Sequence, residues 1–159
     1  MILDLYNRTD MDFFVQATEN KVIGLTSGCY DLLHYMHLFY FQRCRRLCDV
    51  LIVGVDSDDL VRRAKGPGRP IVAEDRRIFM VDALKPIHAT FIMGTVDDFR
   101  RAVAELRVDK IFKNQDFDKV DIKGSDLAEV VIVPDVDLID STSAMIKCVV
   151  QKQGEQKKD

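Results

Sequence analysis

The sequence predicts one α/β domain, a single doubly wound, Rossmann-like, five-stranded parallel sheet with helices on both faces. Three observations carry this. Short, continuously apolar runs of strand length alternate with amphipathic stretches at helical spacing. The length, 159 residues, suits one core that needs neither disulfide nor metal to be stable. A glycine- and histidine-bearing segment sits where the first apolar run passes into the first amphipathic stretch, the position at which such a sheet holds its ligand.

Residues 1–20 mix charged and aromatic side chains without a clear period, and are expected to be an amino-terminal extension that packs a helix on the domain. The domain itself is expected over 21–150, and 151–159 reads as a polar tail. Lys21 to Ser27 is an apolar run closed by Gly28, hence a buried strand. From Asp31 to Leu47 the residues Leu33, Met36, Phe39, Tyr40 and Leu47 recur at helical spacing. Arg43, Arg45 and Arg46 lie towards the end, where cations suit the helix dipole. Val50 to Val55 is apolar throughout, as in a strand covered on both faces.

The DSDDLVRRA stretch opens with capping residues and continues as a helix, and Lys65 to Pro70, rich in glycine and proline, is a loop. AEDRRIFMVDAL forms a helix, ATFIMG a third strand, VDDFRRAVAELRV a helix, KIFKN a fourth strand and VVIVP (Val130 to Pro134) a fifth. STSAMIKCVVQK closes the order as a last helix opening on hydroxyl caps. Regular βα alternation in so short a chain gives a parallel sheet with its ligand at the carboxyl ends of the strands.

Composition narrows the function. With 23 Lys and Arg against 26 Asp and Glu, the net charge is -3, which argues against a sequence-independent grip on nucleic acid. Any phosphate site must be local. No stretch approaches the ~20 apolar residues of a membrane span, and the acid-bearing start MILDLYNRTDMDFF is unlike a secretory signal. Cys29, Cys44, Cys48 and Cys148 form no CxxC or Cys/His pattern and lie in apolar segments. They are expected as buried free thiols in a reducing, cytoplasmic protein.

Chemistry concentrates in Gly28-Cys29-Tyr30-Asp31-Leu32-Leu33-His34-Tyr35-Met36-His37. A helix start offers unpaired NH groups and partial positive charge, and two histidines three apart share a face, so together they can surround a triphosphate. With the remaining histidine, His88, far along the chain, a zinc site lacks its third and fourth ligands.

The segment resembles the Gly-x-Phe-Asp-x-x-His-x-Gly-His signature of the nucleotidyltransferase superfamily that includes cytidylyltransferases and sugar-phosphate adenylyltransferases. His34 and His37 fall on its histidines, Gly28 on its first glycine, and Tyr30 and Asp31 on its aromatic-acid pair. Met36 stands where the second glycine belongs. The resemblance covers about Lys21 to Lys147. Val55 to Asp58 follow the second strand as in that family. Lys65-Gly66-Pro67-Gly68-Arg69-Pro70 is similar to the Lys-Gly-x-x-Arg-Pro loop of heptose-phosphate adenylyltransferases, and Glu74-Asp75-Arg76 to their Glu-x-Arg. Ser141-Thr142-Ser143-Ala144-Met145-Ile146 is similar to the Ser-Thr-Thr-x-x-Ile run of the last helix. Lys113, ahead of Asn114-Gln115-Asp116-Phe117, corresponds to the lysine of the family's Lys-Gly-Gly-Asp-Tyr stretch, both glycines being replaced.

The resemblance implies transfer of a nucleoside monophosphate from a nucleoside triphosphate to a phosphorylated small molecule, with release of pyrophosphate. His34, His37 and Lys65 are then the catalytic donors. Gly28, Cys29, Tyr30, Asp31, Met36, Ser141, Thr142 and Ser143 hold the nucleotide, and Lys113 and Arg69 the acceptor. Mg²⁺ accompanies the triphosphate, held mostly by phosphates and water. A homodimer is the expected assembly, with no nucleic acid or membrane partner. The loop and spacing favour ATP and a sugar 1-phosphate, since the Arg-Thr-Glu-Gly-Ile of the glycerol-phosphate cytidylyltransferases is missing from Asp135 to Asp140. CTP with a polyol phosphate is the alternative. A third, motivated by Met36 and Asn114-Gln115, is a module that binds nucleotide without turnover.

Overall fold

The apolar runs become strands β1 (Ile23–Gly28), β2 (Val50–Asp56), β3 (Ala89–Met93), β4 (Lys110–Lys113) and β5 (Glu129–Ile132). In the computed structural model they pair in parallel throughout, in the order β3-β2-β1-β4-β5. The expected fold class is therefore the observed one. The structure describes residues 1–115 and 122–134, with positions 146, 149 and 151 beyond them. Positions 146, 149 and 151, inside the expected last helix, are helical, whereas Ser141, Thr142, Ser143, Cys148, the tail from 152 on, and Asp116 and Phe117 lie outside the described residues.

Because side chains alternate along a strand, the sheet feeds two cores, one on each face. On β2, Val50 and Ile52 enter one apolar cluster while Leu51, Val53 and Val55 enter the other. The first cluster is covered by α1 (Arg8–Ala17) through Met11 and Phe14, and by α5 (Asp97–Glu105) through Phe99, Ala102 and Val103. The second lies under α2 (Tyr35–Arg45) through Phe41 and Cys44, and under α4 (Glu74–Asp82) through Ile78 and Val81. The short α3 (Asp58–Lys65) follows β2, capped by Ser57, whose Oγ accepts from the Leu60 NH at 3.3 Å. A glycine permits the close packing of β1. A Cβ on Gly24 would lie 2.3 Å from Cε2 of Phe112 and 2.9 Å from Sγ of Cys48.

The amino-terminal residues pack a helix against the rest of the chain through the core itself. Asn7 Oδ1 caps α1 by accepting from the NH groups of Thr9 and Asp10, and Leu3, Leu5, Met11 and Phe14 are all buried in the first cluster. Ile2 bridges in parallel to Thr90 of β3. The other difference is at α2, expected from Asp31 but starting at Tyr35. Tyr30 and Leu32 both hold φ of 50°, so the chain makes a tight left-handed excursion before the helix can begin.

Cys29, Cys44 and Cys48 are free and buried. Burial pushes the Cys44 thiol up to about 12 and that of Cys48 up to about 11, so both are unreactive core side chains.

Candidate active site

The strand order reverses at β1: β2 lies on one side of it and β4 on the other, which opens a crevice beyond their carboxyl ends. Gly28 ends β1 there, and a Cβ on it would meet the Tyr30 ring at 3.1 Å, so the tight exit from the strand favours glycine. Tyr30 then packs its buried ring against His37, centroids 5.5 Å apart and nearly perpendicular, and against Phe41 at 5.1 Å. It works as a wall that orients a histidine.

His34 is the N-cap of α2 and His37 its third residue, and the two rings lie 4.0 Å apart. Nδ1 of His34 accepts from the Met36 NH, and Nδ1 of His37 accepts from the His34 NH, each at 3.3 Å. Two of the helix's orphan donors are thereby satisfied by imidazoles in a capping-box arrangement. An Nδ1 that accepts a hydrogen bond carries no proton, so each neutral ring bears its proton on Nε2 and donates from there. Burial first, then the charges of His34 and Lys65, lower the His37 pKa to about 4. At neutral pH it is an uncharged donor. Met36 lends its NH to this cap, and its half-buried side chain belongs to neither apolar cluster, although Leu33 and Tyr40 pack on the second.

Asp31, in the same segment, is turned inward. Its carboxylate, 2 % exposed, accepts from Nε of Arg69 at 2.6 Å, from the Ile71 NH at 2.9 Å and from the Val72 NH at 3.0 Å. Burial alone would raise its pKa, but the donors Ile71, Val72 and Arg69 outweigh burial and leave it lowered. Asp31 and Arg69 thus form a latch that ties the end of the Lys65 to Pro70 loop to the histidine segment. Lys65, exposed at the last position of α3, is held by that helix close enough for its charge to act on His37.

A second pivot, Arg77, was not singled out from the sequence, where it follows the Glu-x-Arg match as one more charged helix residue. It is fully buried. Nε donates to the Val72 carbonyl at 2.8 Å, Nη1 to the Cys29 carbonyl and Nη2 to Oδ1 of Asp58 at 2.8 Å. Glu74 completes the tie by accepting the Asp58 NH at 2.6 Å. Such a residue is legible only as an arginine on the apolar side of its helix, next to Ile78 and Val81.

On the other side of β1, Lys113 ends β4. Its Nζ lies 3.1 Å from Oγ of Ser27 and 4.6 Å from the Phe99 ring centroid. Burial lowers its pKa, against the opposing pull of Asp56. Gly28, Cys29, Tyr30, His34, His37 and Lys113 therefore all stand at or just beyond the carboxyl ends of β1 and β4, with Lys65 near enough to His37 to act on it. Among the described residues no group of three or more His, Cys, Asp or Glu side chains could cage a metal ion, and no helix is long and apolar enough to cross a membrane.

Comparison with known proteins agrees with this geometry. Residues 25–153 match the cytidylyltransferase-like family. The bifunctional protein HldE of Hyphomonas neptunium is 40% identical over 117 residues, covering 70% of this chain and 24% of its own. HldE of Syntrophotalea carbinolica is 36% identical over 115 residues, 72% of this chain and 23% of its own. The chain thus spans about a quarter of the length of these curated relatives. The crystal structure of a lipopolysaccharide core biosynthesis protein from Thermoplasma volcanium superposes with a TM-score of 0.63 at 27% identity, over 75% of this chain and 99% of that one. With the match running from β1 past β5 and through both histidines, the chain belongs to the cytidylyltransferase-like family.

Proposed function

We propose that the protein is a nucleotidyltransferase that moves AMP from ATP onto a sugar 1-phosphate and releases pyrophosphate. The observation that carries this reading is the paired histidines of α2, each fixed by a backbone NH on Nδ1 and therefore each an Nε2–H donor at a helix start. Nucleotide choice rests on the Lys65 to Pro70 loop, similar to that of heptose-phosphate adenylyltransferases, and on the HldE relatives.

In the reaction an acceptor phosphate oxygen attacks the α-phosphorus. The new P–O bond forms as the bond from that phosphorus to the bridging oxygen breaks, and the electron pair leaves with pyrophosphate. No protein nucleophile is needed, so the chain's task is alignment and neutralisation of spreading negative charge. His34 and His37 donate to the phosphate oxygens. Lys65 approaches from the end of α3, and Lys113 faces the acceptor phosphate. Ser141, Thr142 and Ser143 hold the terminal phosphates. Mg²⁺ accompanying the triphosphate would supply charge neutralisation there, held mostly by phosphates and water. The working protein is a cytoplasmic homodimer.

A pyrophosphate-release screen crossing ATP, CTP, GTP and UTP with sugar 1-phosphates and polyol phosphates tests the reading. ATP with a sugar 1-phosphate is the expected pair. Release confined to CTP with glycerol phosphate would transfer the chain to the cytidylyltransferase alternative. Nucleotide binding with no release in any combination would leave a binding module without turnover.

A further inference from the structure

Four polar residues follow each other from the end of β2, Asp56-Ser57-Asp58-Asp59, and the structure accounts for the last three. Ser57 caps α3, Asp58 meets Arg77 at 2.8 Å, and Asp59 pairs with Arg62. Asp56 has no such task. Among the described residues no hydrogen-bond donor or ion-pair partner meets its half-buried carboxylate. Yet it stands at the carboxyl end of β2, next to Val55, which lies beside Gly28 in the β1–β2 register. It is therefore on the wall of the same crevice, across β1 from Lys113. Burial is the largest influence on it and raises its pKa, opposed by the charges of Lys113, Arg77 and Lys65.

A carboxylate in a crevice built for phosphates repels them unless something donates to it, and leaving it half-desolvated and unpaired is unfavourable. A divalent cation suits it poorly. Three cations already act on it, and among the described residues no cluster of metal-ligating side chains includes it. Neutral hydroxyl groups suit it well, because they donate strongly to a carboxylate without adding charge. Phosphate at the lysines and hydroxyls at the acid is the polarity of a phosphorylated polyol or sugar.

We propose that Asp56 selects the acceptor, its carboxylate accepting hydrogen bonds from hydroxyl groups of a polyol or sugar phosphate whose phosphate lies towards Lys113. The inference rests on the transferase reading of the crevice and names the acceptor's chemistry. Ribose hydroxyls of the nucleotide offer the same chemistry, so the test separates the two sources.

Calorimetric titration of the full chain, in the presence of a non-hydrolysable ATP analogue, compares mannose 1-phosphate and glycerol 3-phosphate with methyl phosphate, which has no hydroxyl. The wild type should bind one of the hydroxylated esters about 10-fold or more tightly than methyl phosphate, the usual worth of a hydrogen bond to a charged group. Asp56→Ala should bring that ratio close to one while leaving methyl phosphate and ATP-analogue affinities in place. Asp56→Asn, which keeps an acceptor oxygen, should give an intermediate ratio. A wild type with no preference, or the same ratio in wild type and folded variants, overturns the proposal. So does a loss confined to the ATP analogue and abolished by its 2′-deoxy form, which assigns Asp56 to the ribose, or a loss of Mg²⁺ affinity alone. Pyrophosphate release measured on the same samples keeps the two readings apart. A hydroxyl preference without release defeats the transfer reading and leaves the assignment of Asp56 standing.

Discussion

His34 and His37 show how much a residue can do with one nitrogen engaged. Each accepts a backbone NH at Nδ1, so the helix start holds the ring and the remaining nitrogen is a donor. Replacing either by alanine removes one preorganised donor to the transition state, and turnover should drop by about 100-fold or more. Pyrophosphate release, with circular dichroism to confirm the fold, checks it. Near-normal rates in both variants would rule the histidines out as catalysts. The pH dependence follows from the same geometry. His37 titrates at about 4, against 6.5 for an ordinary histidine. Between those values the unfolded chain takes up a proton that the folded one refuses, so this contribution to stability is complete above pH 6.5 and declines as pH falls towards 4. Denaturation midpoints of His37→Gln should accordingly fall less steeply than those of the wild type over that window. The pair was legible in the sequence, because histidine spacing after a strand-ending glycine is a local signal. Asp31 was legible as a member of the segment but not as a latch, since its partners lie at positions 69–72, some 40 residues on. Arg77 gave even less away, because nothing near it in the chain announces that three of its donors will be needed.

At the scale of elements, the loop from α3 to α4 is fixed at one end and open at the other. The Asp31 latch and Arg77 hold Arg69 to Val72, whereas a Cβ on Gly66 or Gly68 would meet nothing within 4 Å. Glycine and proline made the loop readable in the sequence, and a loop of that composition is expected to be mobile along all of Lys65 to Pro70 until nucleotide orders it. The latch restricts that expectation to the tip. Saturating ATP should slow amide exchange at Gly66 and Gly68 while the Ile71 and Val72 amides, already bonded to Asp31, change little. Asp31→Ala leaves a largely buried guanidinium without its counter-charge and two amides without an acceptor. It should cost about 3 kcal/mol of stability, read from denaturant midpoints, and should abolish the protection of Ile71 and Val72. Unchanged exchange at those two amides would show that the loop is held by other contacts. The helix start of α2 illustrates the limit of periodicity at this scale. Apolar spacing runs unbroken from Leu33, but Tyr30 and Leu32 adopt φ of 50°, a conformation neither residue type advertises, and the helix waits until Tyr35.

Across the whole molecule, order and sheet class were readable because short apolar runs, most continuous in β2 and β3, alternate with helical stretches, and parallel pairing follows from the helices between them. The amino-terminal residues were harder. Met11 and Phe14 are only three apart, with the exposed Phe13 between them to blur the period, and Leu3 and Leu5 lie in a stretch too short to show one, so their burial depends on a surface made elsewhere in the chain. That surface is the face of the sheet that α5 also covers. Leu3, Leu5, Met11 and Phe14 are each no more than 3% exposed there, beside Ile52, Phe91 and Leu106. Polar contacts reinforce the attachment: the Leu3 NH donates to the Thr90 carbonyl at 2.7 Å, and the Tyr6 hydroxyl donates to Asp98 at 2.7 Å, the same carboxylate that receives the Gly94 and Thr95 NH groups. A segment that merely decorated the domain could be removed at little cost, and this one cannot. Burying four large apolar side chains is worth about 1.5–3 kcal/mol each, so the segment contributes on the order of 6–12 kcal/mol, similar to the whole stability of a typical domain at about 5–15 kcal/mol. Deleting residues 1–20 should therefore leave a chain without a cooperative thermal transition and with exposed apolar surface that binds a hydrophobic dye, whereas the same cut after restoring the segment as a separate peptide should recover folding in part. A truncated chain that melts within a few degrees of the full one would place those four side chains outside the folding unit, however deeply they are buried.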